Sequence, residues 1–315
     1  MTNISFVVQG PVMMHEDHQT QTYSTASVLK SIRGHFPGAE IILSTWTGTD
    51  VTGLDYDKLV LSDDPGSIIV KHIPNPYNHN RLILSSQKGI AEASNDIVVK
   101  TRTDLHFESN ALLSLLTGIQ TVKSDFALFS HYILSTNYYV RNPFRLNLLF
   151  HASDIILIGK KNDLALFFSA PLVSQENMIG TNKEIKMVAE QYLTLNSIYQ
   201  VKGKSYSFLN GATNILQFID SEKYLFNNFN FHSIEAFGVE FPKRLRFAFC
   251  PEGNYSIEET DALGSAYRNK TTAAFFSYKR AVKYLKLRTM MYLKAKLQIA
   301  CIKFTKPLKH ANNQP

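Results

Sequence analysis

Ile4-Ser5-Phe6-Val7-Val8-Gln9-Gly10-Pro11 is the stretch whose reading decides the architecture. Its apolar run does not alternate with polar residues, the pattern of a strand buried on both faces of a parallel sheet. Gly10-Pro11 then breaks the run, because proline has no backbone N–H to continue a ladder. No positive residues precede the run, so it reads as a first strand and not as a signal peptide. The same grammar recurs downstream, and strands are expected at residues 40–44, 58–61, 96–101, 125–131 and 154–158. Between the first two, Val28, Leu29, Ile32 and Phe36 recur at helical spacing, with Ser24 as N-cap and Pro37-Gly38 as stop. Further helices are expected at 81–93, 109–118 and 183–195, and residues 221–260 read as irregular or short strands. Strands alternating with helices predict an α/β fold, a mainly parallel sheet flanked by helices.

Composition sets the outer limits. With 44% apolar and 19% charged residues in 315, the chain can bury a sizeable core. Two cysteines, Cys250 and Cys301, stand far apart, which argues against a disulfide framework and for a reducing compartment. The longest uncharged stretch, 126–140, carries Ser, His, Thr and Asn and does not read as a membrane span. Charge is unevenly placed: the net is +7, yet no Asp or Glu follows Asp261. Twelve Lys and Arg residues fall between 268 and 309, leaving 21 basic against 26 acidic residues before them. The expected organisation is a mildly acidic body at 1–260 and a basic helical extension at 261–315. Tyr278, Val282, Leu285, Tyr292 and Leu293 lie roughly on one face of that extension, with lysines off it. A basic amphipathic segment suits an anionic membrane surface, with a solvated helix covering the core as the plainer reading.

Open α/β sheets bind ligands beyond the carboxyl ends of their strands, which directs attention to four clusters. Gln9-Gly10 offers an amide and a close backbone approach, or only a turn. Ser62-Asp63-Asp64-Pro65-Gly66 offers carboxylates for a ribose or base N–H, or ordinary turn chemistry. Lys100-Thr101-Arg102-Thr103-Asp104 places a carboxylate and a bidentate cation at a strand end, where they suit a diphosphate and a divalent metal, or merely pair on the surface. Glu190, in a helical stretch, could serve as a general base or be solvated. There is no P-loop, no G-x-G-x-x-G, no H-E-x-x-H and no paired C-x-x-C, which removes common NTPase, dehydrogenase and zinc assignments.

Several consecutive stretches resemble the WavE lipopolysaccharide-synthesis family. They are Ile4 to Val12, Phe36-Pro37-Gly38-Ala39-Glu40-Ile41-Ile42-Leu43-Ser44-Thr45-Trp46, Leu61 to Gly66, Asn78 to Ile83, Lys100 to Asp104, and Phe150-His151-Ala152-Ser153-Asp154 leading to Gly159, within about residues 3–200. The resemblance implies a GT-A-like, Rossmann-like glycosyltransferase of lipopolysaccharide core or capsule assembly. It would take a nucleotide-sugar donor and a lipid-linked saccharide acceptor. In the GT-A pattern a D-x-D motif follows a central strand; here Arg102-Thr103-Asp104 stands in that place. Asp104 matches the second Asp, the one implied Mg²⁺ or Mn²⁺ ligand, and Arg102 replaces the first. That departure leaves metal dependence open. Asn80-Arg81 resembles the pair that opens the preceding helix, and Glu190-Gln191 resembles the Glu-Asp pair that supplies the base of inverting members.

Donor binding is thus expected of Gln9, Gly10, Asp63, Asp64, Arg81, Lys100, Arg102 and Asp104. Catalysis is expected of Glu190, with Asp154 as the rival base or acceptor-orienting group, or else a residue that merely caps or pairs near its strand. A late metal-ligand role for His232, as a C-terminal His has in some GT-A enzymes, is the lesser of its readings. The corresponding location is cytoplasmic, peripheral at the inner face of the cytoplasmic membrane through residues 268–309. The competing classes are a nucleotidyltransferase and a non-catalytic polyanion- or nucleic-acid-binding protein. The first lacks its basic glycine-rich loop after Gly10, and the second lacks any recognisable motif, so no nucleic acid is expected.

Overall fold

The computed structural model describes residues 3–17, 19, 22–69, 77–146, 148–179, 186–206, 215–243, 245 and 253–269, with scattered positions between 279 and 293. Its centre is a seven-stranded sheet of order β3-β2-β1-β4-β7-β6-β8. The strands are β1 (Ile4–Gln9), β2 (Glu40–Trp46), β3 (Lys58–Ser62), β4 (Ile97–Arg102), β6 (Ile133–Thr136), β7 (Leu157–Lys160) and β8 (Phe229–His232). Strand β7 runs antiparallel to both neighbours, and the other pairings in the sheet are parallel. This is the α/β, mostly parallel, GT-A-like arrangement expected from the sequence. Two short strands, β5 (His106–Phe107) and β9 (Val239–Glu240), form a separate antiparallel ribbon.

The unbroken apolar run of β1 is explained by cover on both faces. Ile4, Phe6 and Val8 turn to one side and pack with Val28, Leu29 and Ile32 of α1 (Thr25–His35). Val7 turns to the other and packs with Ile83 and Ile90 of α2 (His79–Ala91). At Gly89 the approach is so close that a Cβ would meet Val7 Cγ1 at 2.4 Å. Ser24 caps α1 as expected, accepting the backbone N–H of Ser27. The second core also takes in α4 (Lys161–Phe167), α6 (Ala189–Lys202) and α7 (Ile215–Asn228) through Leu164, Phe167, Leu193, Phe218 and Leu225.

Several expectations about elements differ from the structure in whole or in part. Residues 125–131 form no strand, because side chains take the backbone bonds a ladder would use. Asn228 Oδ1 accepts from Leu128 N, and Asp163 accepts from Ser130 N and His131 N. The strand begins only at Ile133. The strand expected at 154–158 starts at Leu157, and in the run before it the carbonyls of Ser153 and Asp154 accept from the side chains of Ser135 and Lys100. Residues 221–260, expected to be irregular or short strands, do hold the short strands β8 and β9, and also the end of α7, the one-turn α8 (Ile234–Phe237) and the start of α9 (Ile257–Arg268). The expected helix at 109–118 is a 3₁₀ helix, Ala111–Gly118, and that at 183–195 begins at Ala189, its first three residues lying outside the described ones.

Helix α9 runs across position 260/261 and packs on α7 and β8. Tyr255 and Tyr267 both donate hydroxyl hydrogen bonds, each 3.1 Å, to the buried carboxyl of Glu222 in α7. Arg268, the first of the twelve basic residues, lies over the ring of Tyr132. The rest of the expected basic helix falls almost wholly outside the described residues.

Candidate active site

One edge of the sheet collects the ionisable groups. The parallel strands β1, β3, β4, β6 and β8 present their carboxyl ends there, and the antiparallel β7 presents its amino end. Gln9 and Gly10 therefore meet Arg102, Thr103 and Asp104, and the segment 151–156 entering β7 comes down beside them. Two turns are tied together directly. Thr103 N donates to Gln9 O at 3.2 Å, and Thr103 Oγ1 donates to Pro11 O at 2.7 Å. Gly10 adopts φ +126°, and a Cβ there would press on Thr103 Oγ1 at 3.2 Å, so glycine is what the junction admits.

The donor-side candidates divide by partner. Gln9 is buried, and the single hydroxyl proton of Ser85 is shared between Gln9 Oε1 at 2.6 Å and Arg81 O at 2.7 Å, which links the first turn of α2 to the end of β1. Arg81 forms a bidentate pair with Asp64 at 2.7 and 2.5 Å. Asp64 also accepts from Gly66 N, so the turn chemistry and the charge pair coexist on one side chain. Asp63 is exposed beside it. Asn80 turns away from this edge, exchanging both its amide bonds with the backbone of Val173.

Lys100 is fully buried on β4, and its ammonium donates to Asp154 O with the ring of Phe168 at 5.5 Å. Loss of hydration pulls its pKa down to about 8 despite the nearby carboxylate of Asp154. Arg102 and Asp104 form a bidentate pair at 2.8 and 2.9 Å, with Asp104 only 2% exposed. Burial works against the guanidinium, but the Asp104 charge overcomes it and holds Arg102 above its ordinary value. The third cation, Arg141, follows β6. It stacks over the ring of Tyr139 at 4.9 Å and donates to Asn254 Oδ1 at 3.2 Å.

Among these cations sit the catalytic candidates. Glu190 lies in the first turn of α6, with His151 Nε2 at 3.7 Å from its carboxyl. Burial raises the Glu190 pKa well above the carboxylate range, and the negative charge of Asp154 raises it further; Arg141 and Lys100 oppose. The structure thus places Glu190 within reach of the Asp154 charge. His151 is buried, and desolvation pushes its pKa down to about 3, so it is neutral beside Glu190 at ordinary pH. Gln191 turns inward, donating to Leu149 O at 2.9 Å and accepting from Val188 N, and so fixes the start of α6 against the loop before His151.

Tyr139 and Arg141 were not legible in the sequence as site residues. Tyr139 is left-handed at φ 65°, as is Phe150 at φ 55°, a backbone state that bulky residues adopt only under constraint. Its hydroxyl donates to Leu245 O, and burial lifts its pKa to about 12. Only its place just beyond the end of a strand, two residues before Arg141, could have drawn attention to it.

Asp104, the metal ligand that the resemblance implies, is engaged by Arg102 at both carboxylate oxygens. Among the described residues no group of three His, Cys, Asp or Glu side chains converges to hold a cation. His232 ends β8, half-buried with its Nε2 atom inaccessible and unbonded, and joins no such group among the described residues. The fixed charge near Asp104 is that of Arg102.

Fold and site together define a class: a Rossmann-like α/β protein whose sheet edge gathers buried, charge-coupled groups of the kind used in catalysis. The chain belongs to the WavE lipopolysaccharide synthesis family, whose model matches residues 4–296. No curated protein matches it.

Proposed function

We propose that this protein is a glycosyltransferase of lipopolysaccharide assembly, moving a sugar from a nucleotide-sugar donor onto a lipid-linked saccharide. One observation carries the reading: the Glu190 carboxyl, its ionisation opposed by burial and by the charge of Asp154, stands at the carboxyl edge of the sheet among Lys100, Arg102 and Arg141. A base whose pKa is drawn toward the working pH balances ionisation against proton affinity. Glu190 takes the proton of an acceptor hydroxyl as that oxygen bonds to the anomeric carbon. The bond from that carbon to the donor's diphosphate breaks, and the leaving group carries away the electron pair. One displacement inverts the anomeric centre. Arg102, about a third exposed, offers fixed positive charge to the departing diphosphate. Gln9 and Gly10, with the Asp63, Asp64 and Arg81 corner, form the surface on which the nucleotide lies.

The acceptor is lipid-linked, so the enzyme works at a membrane. No described helix is long and apolar enough to cross one. The basic residues between 268 and 309 supply an electrostatic attachment to an anionic leaflet, each worth about 1 kcal/mol near the surface.

The test is binding. Full-length protein is melted with UDP-, GDP-, CMP- and dTDP-sugars, each with and without Mn²⁺. Stabilisation by one nucleotide class, growing as RT ln(1 + [L]/Kd), supports the donor site. A response that does not depend on Mn²⁺ assigns the diphosphate charge to Arg102. If no nucleotide sugar binds in either condition, the reading fails.

A further inference from the structure

Val98, Lys100 and Arg102 alternate along β4 and so face the same side of the sheet. Val98 lies in the core beneath α2 and α4, and Arg102 stands partly open at the strand end. Lys100, between them, is 0% exposed. An ammonium in such a place loses its hydration, so it needs a hydrogen-bond acceptor and opposite charge nearby. Among the described residues its hydrogen bond goes to the backbone carbonyl of Asp154, and the ring of Phe168 covers it at 5.5 Å. The charged groups within its reach are Asp154 in the segment entering β7, Arg102 and Asp104 on its own strand and turn, and Glu190 on α6. Glu190, with 23% of its side chain exposed, can meet a ligand, whereas Lys100 offers a ligand no surface.

The carbonyl that Lys100 holds belongs to a span beside the base. Residues 149–154 are fastened by buried side chains at four points. Leu149 O accepts from Gln191, Phe150 N donates to Ser221, Ser153 O accepts from Ser135, and Asp154 O accepts from Lys100. Between these points His151 lies 3.7 Å from the Glu190 carboxyl. The first three fastenings are neutral, and only Lys100 brings a charge. The groups that bear on Glu190 come from every side. Asp154 opposes its ionisation, Lys100 and Arg141 favour it, and His151 beside it is neutral. Tyr139, also neutral, lies within reach of the Glu190 charge.

We infer that Lys100 is a positioning residue and not a donor ligand: it holds the Asp154 backbone in place and lends positive charge to Glu190 from within the core, so that the base stands ionised for the acceptor hydroxyl. The inference rests on the glycosyltransferase reading and adds to it the group that sets the base. Lys100 and Asp154 push the ionisation of Glu190 in opposite directions. With a neutral side chain at position 100, burial and Asp154 are opposed by Arg141 alone, and Glu190 keeps its proton to higher pH. This is the reverse of the change that loss of the Asp154 charge brings.

The experiment is carboxyl NMR of the full-length protein, labelled with ¹³C in its glutamate side chains and titrated with pH in the absence of ligand. The Glu190 signal is assigned by its loss in Glu190→Gln. Lys100→Met keeps the length of the side chain and removes both charge and donor. Lys100→Gln removes the charge and keeps a neutral N–H for Asp154 O. In both variants the Glu190 midpoint is expected to rise by about one pH unit. If Lys100→Met does not fold, Lys100→Gln decides alone. A midpoint that stays where it was overturns the inference. So does a shift in Lys100→Met that Lys100→Gln restores, because a neutral fastening would then suffice. The nucleotide-sugar panel is run on the same samples. Binding that is present in the parent protein and lost in Lys100→Gln makes Lys100 a donor ligand, which overturns the inference and leaves the donor reading standing. If the parent itself binds no nucleotide sugar, the transferase reading falls and the role of Lys100 in setting its base falls with it, whatever the midpoint does.

Discussion

Glu190 is held where a carboxylate is least comfortable, and that makes it testable. Exchanging it for the near-isosteric Gln removes the base and keeps the shape. Glu190→Gln should lower sugar transfer by about a hundred- to ten-thousandfold, with a melting curve like that of the parent protein. Asp154 permits a sharper experiment, because its negative charge is one of the causes of the raised Glu190 pKa. Activity needs ionised Glu190, so the rate rises with pH through the Glu190 pKa. Asp154→Asn removes a charge that opposes ionisation, so the Glu190 pKa falls and the acidic limb of the pH–rate profile moves to lower pH. A limb that stays put, or moves up, would show that the two groups do not communicate. If Asp154 were itself the base, the limb would vanish with the activity. Neighbouring His151 stays neutral through this range, so it adds no second limb near neutrality.

At the scale of elements, the site depends on how closely α2 lies on the sheet. This helix starts at the donor edge with Arg81, reaches Gln9 through Ser85 and packs Gly89 against Val7 and Ser44. A methyl group at position 89 has nowhere to go, since the nearest atoms belong to a fully buried strand at 2.4 Å. Gly89→Ala should therefore destabilise the protein by about 1–3 kcal/mol in denaturant melts, although alanine is the better helix former. It should also weaken nucleotide-sugar binding, because lifting α2 moves Arg81 and Ser85 together. A stabilised variant would mean that α2 is not seated this tightly. The same scale shows why the run 125–131 was misread. Its residues have strand-like composition, but Asp163 and Asn228 cap its backbone from distant elements, and no local pattern records that.

Across the whole molecule, charge is divided between a body and a terminal segment. The described part of the divide is α9, which crosses the expected boundary and is tied to α7 through Glu222. A boundary drawn by charge thus cuts an element that the core needs. The basic residues themselves predict a measurable behaviour. The full-length chain should float with vesicles containing phosphatidylglycerol, lose that association as salt is raised, and ignore vesicles of neutral lipid. Removal of residues 279–315, leaving α9 intact, should abolish flotation and leave nucleotide-sugar binding in place. Flotation that survives the truncation would place the membrane contact in the body instead. The sequence by itself determined the α/β class, the first four sheet strands, the capped first helix and the family, because those features are written in local periodicity and consecutive motif residues. It also singled out Glu190, Asp154, Arg102 and Asp104 one by one. Tertiary structure alone decided that the Asp154 charge bears on Glu190, that Arg102 is bound to Asp104, and that Tyr139 and Arg141 stand near them. Those outcomes depend on which strand ends share an edge and on how much water reaches each group, and both are set by contacts between residues far apart in the chain.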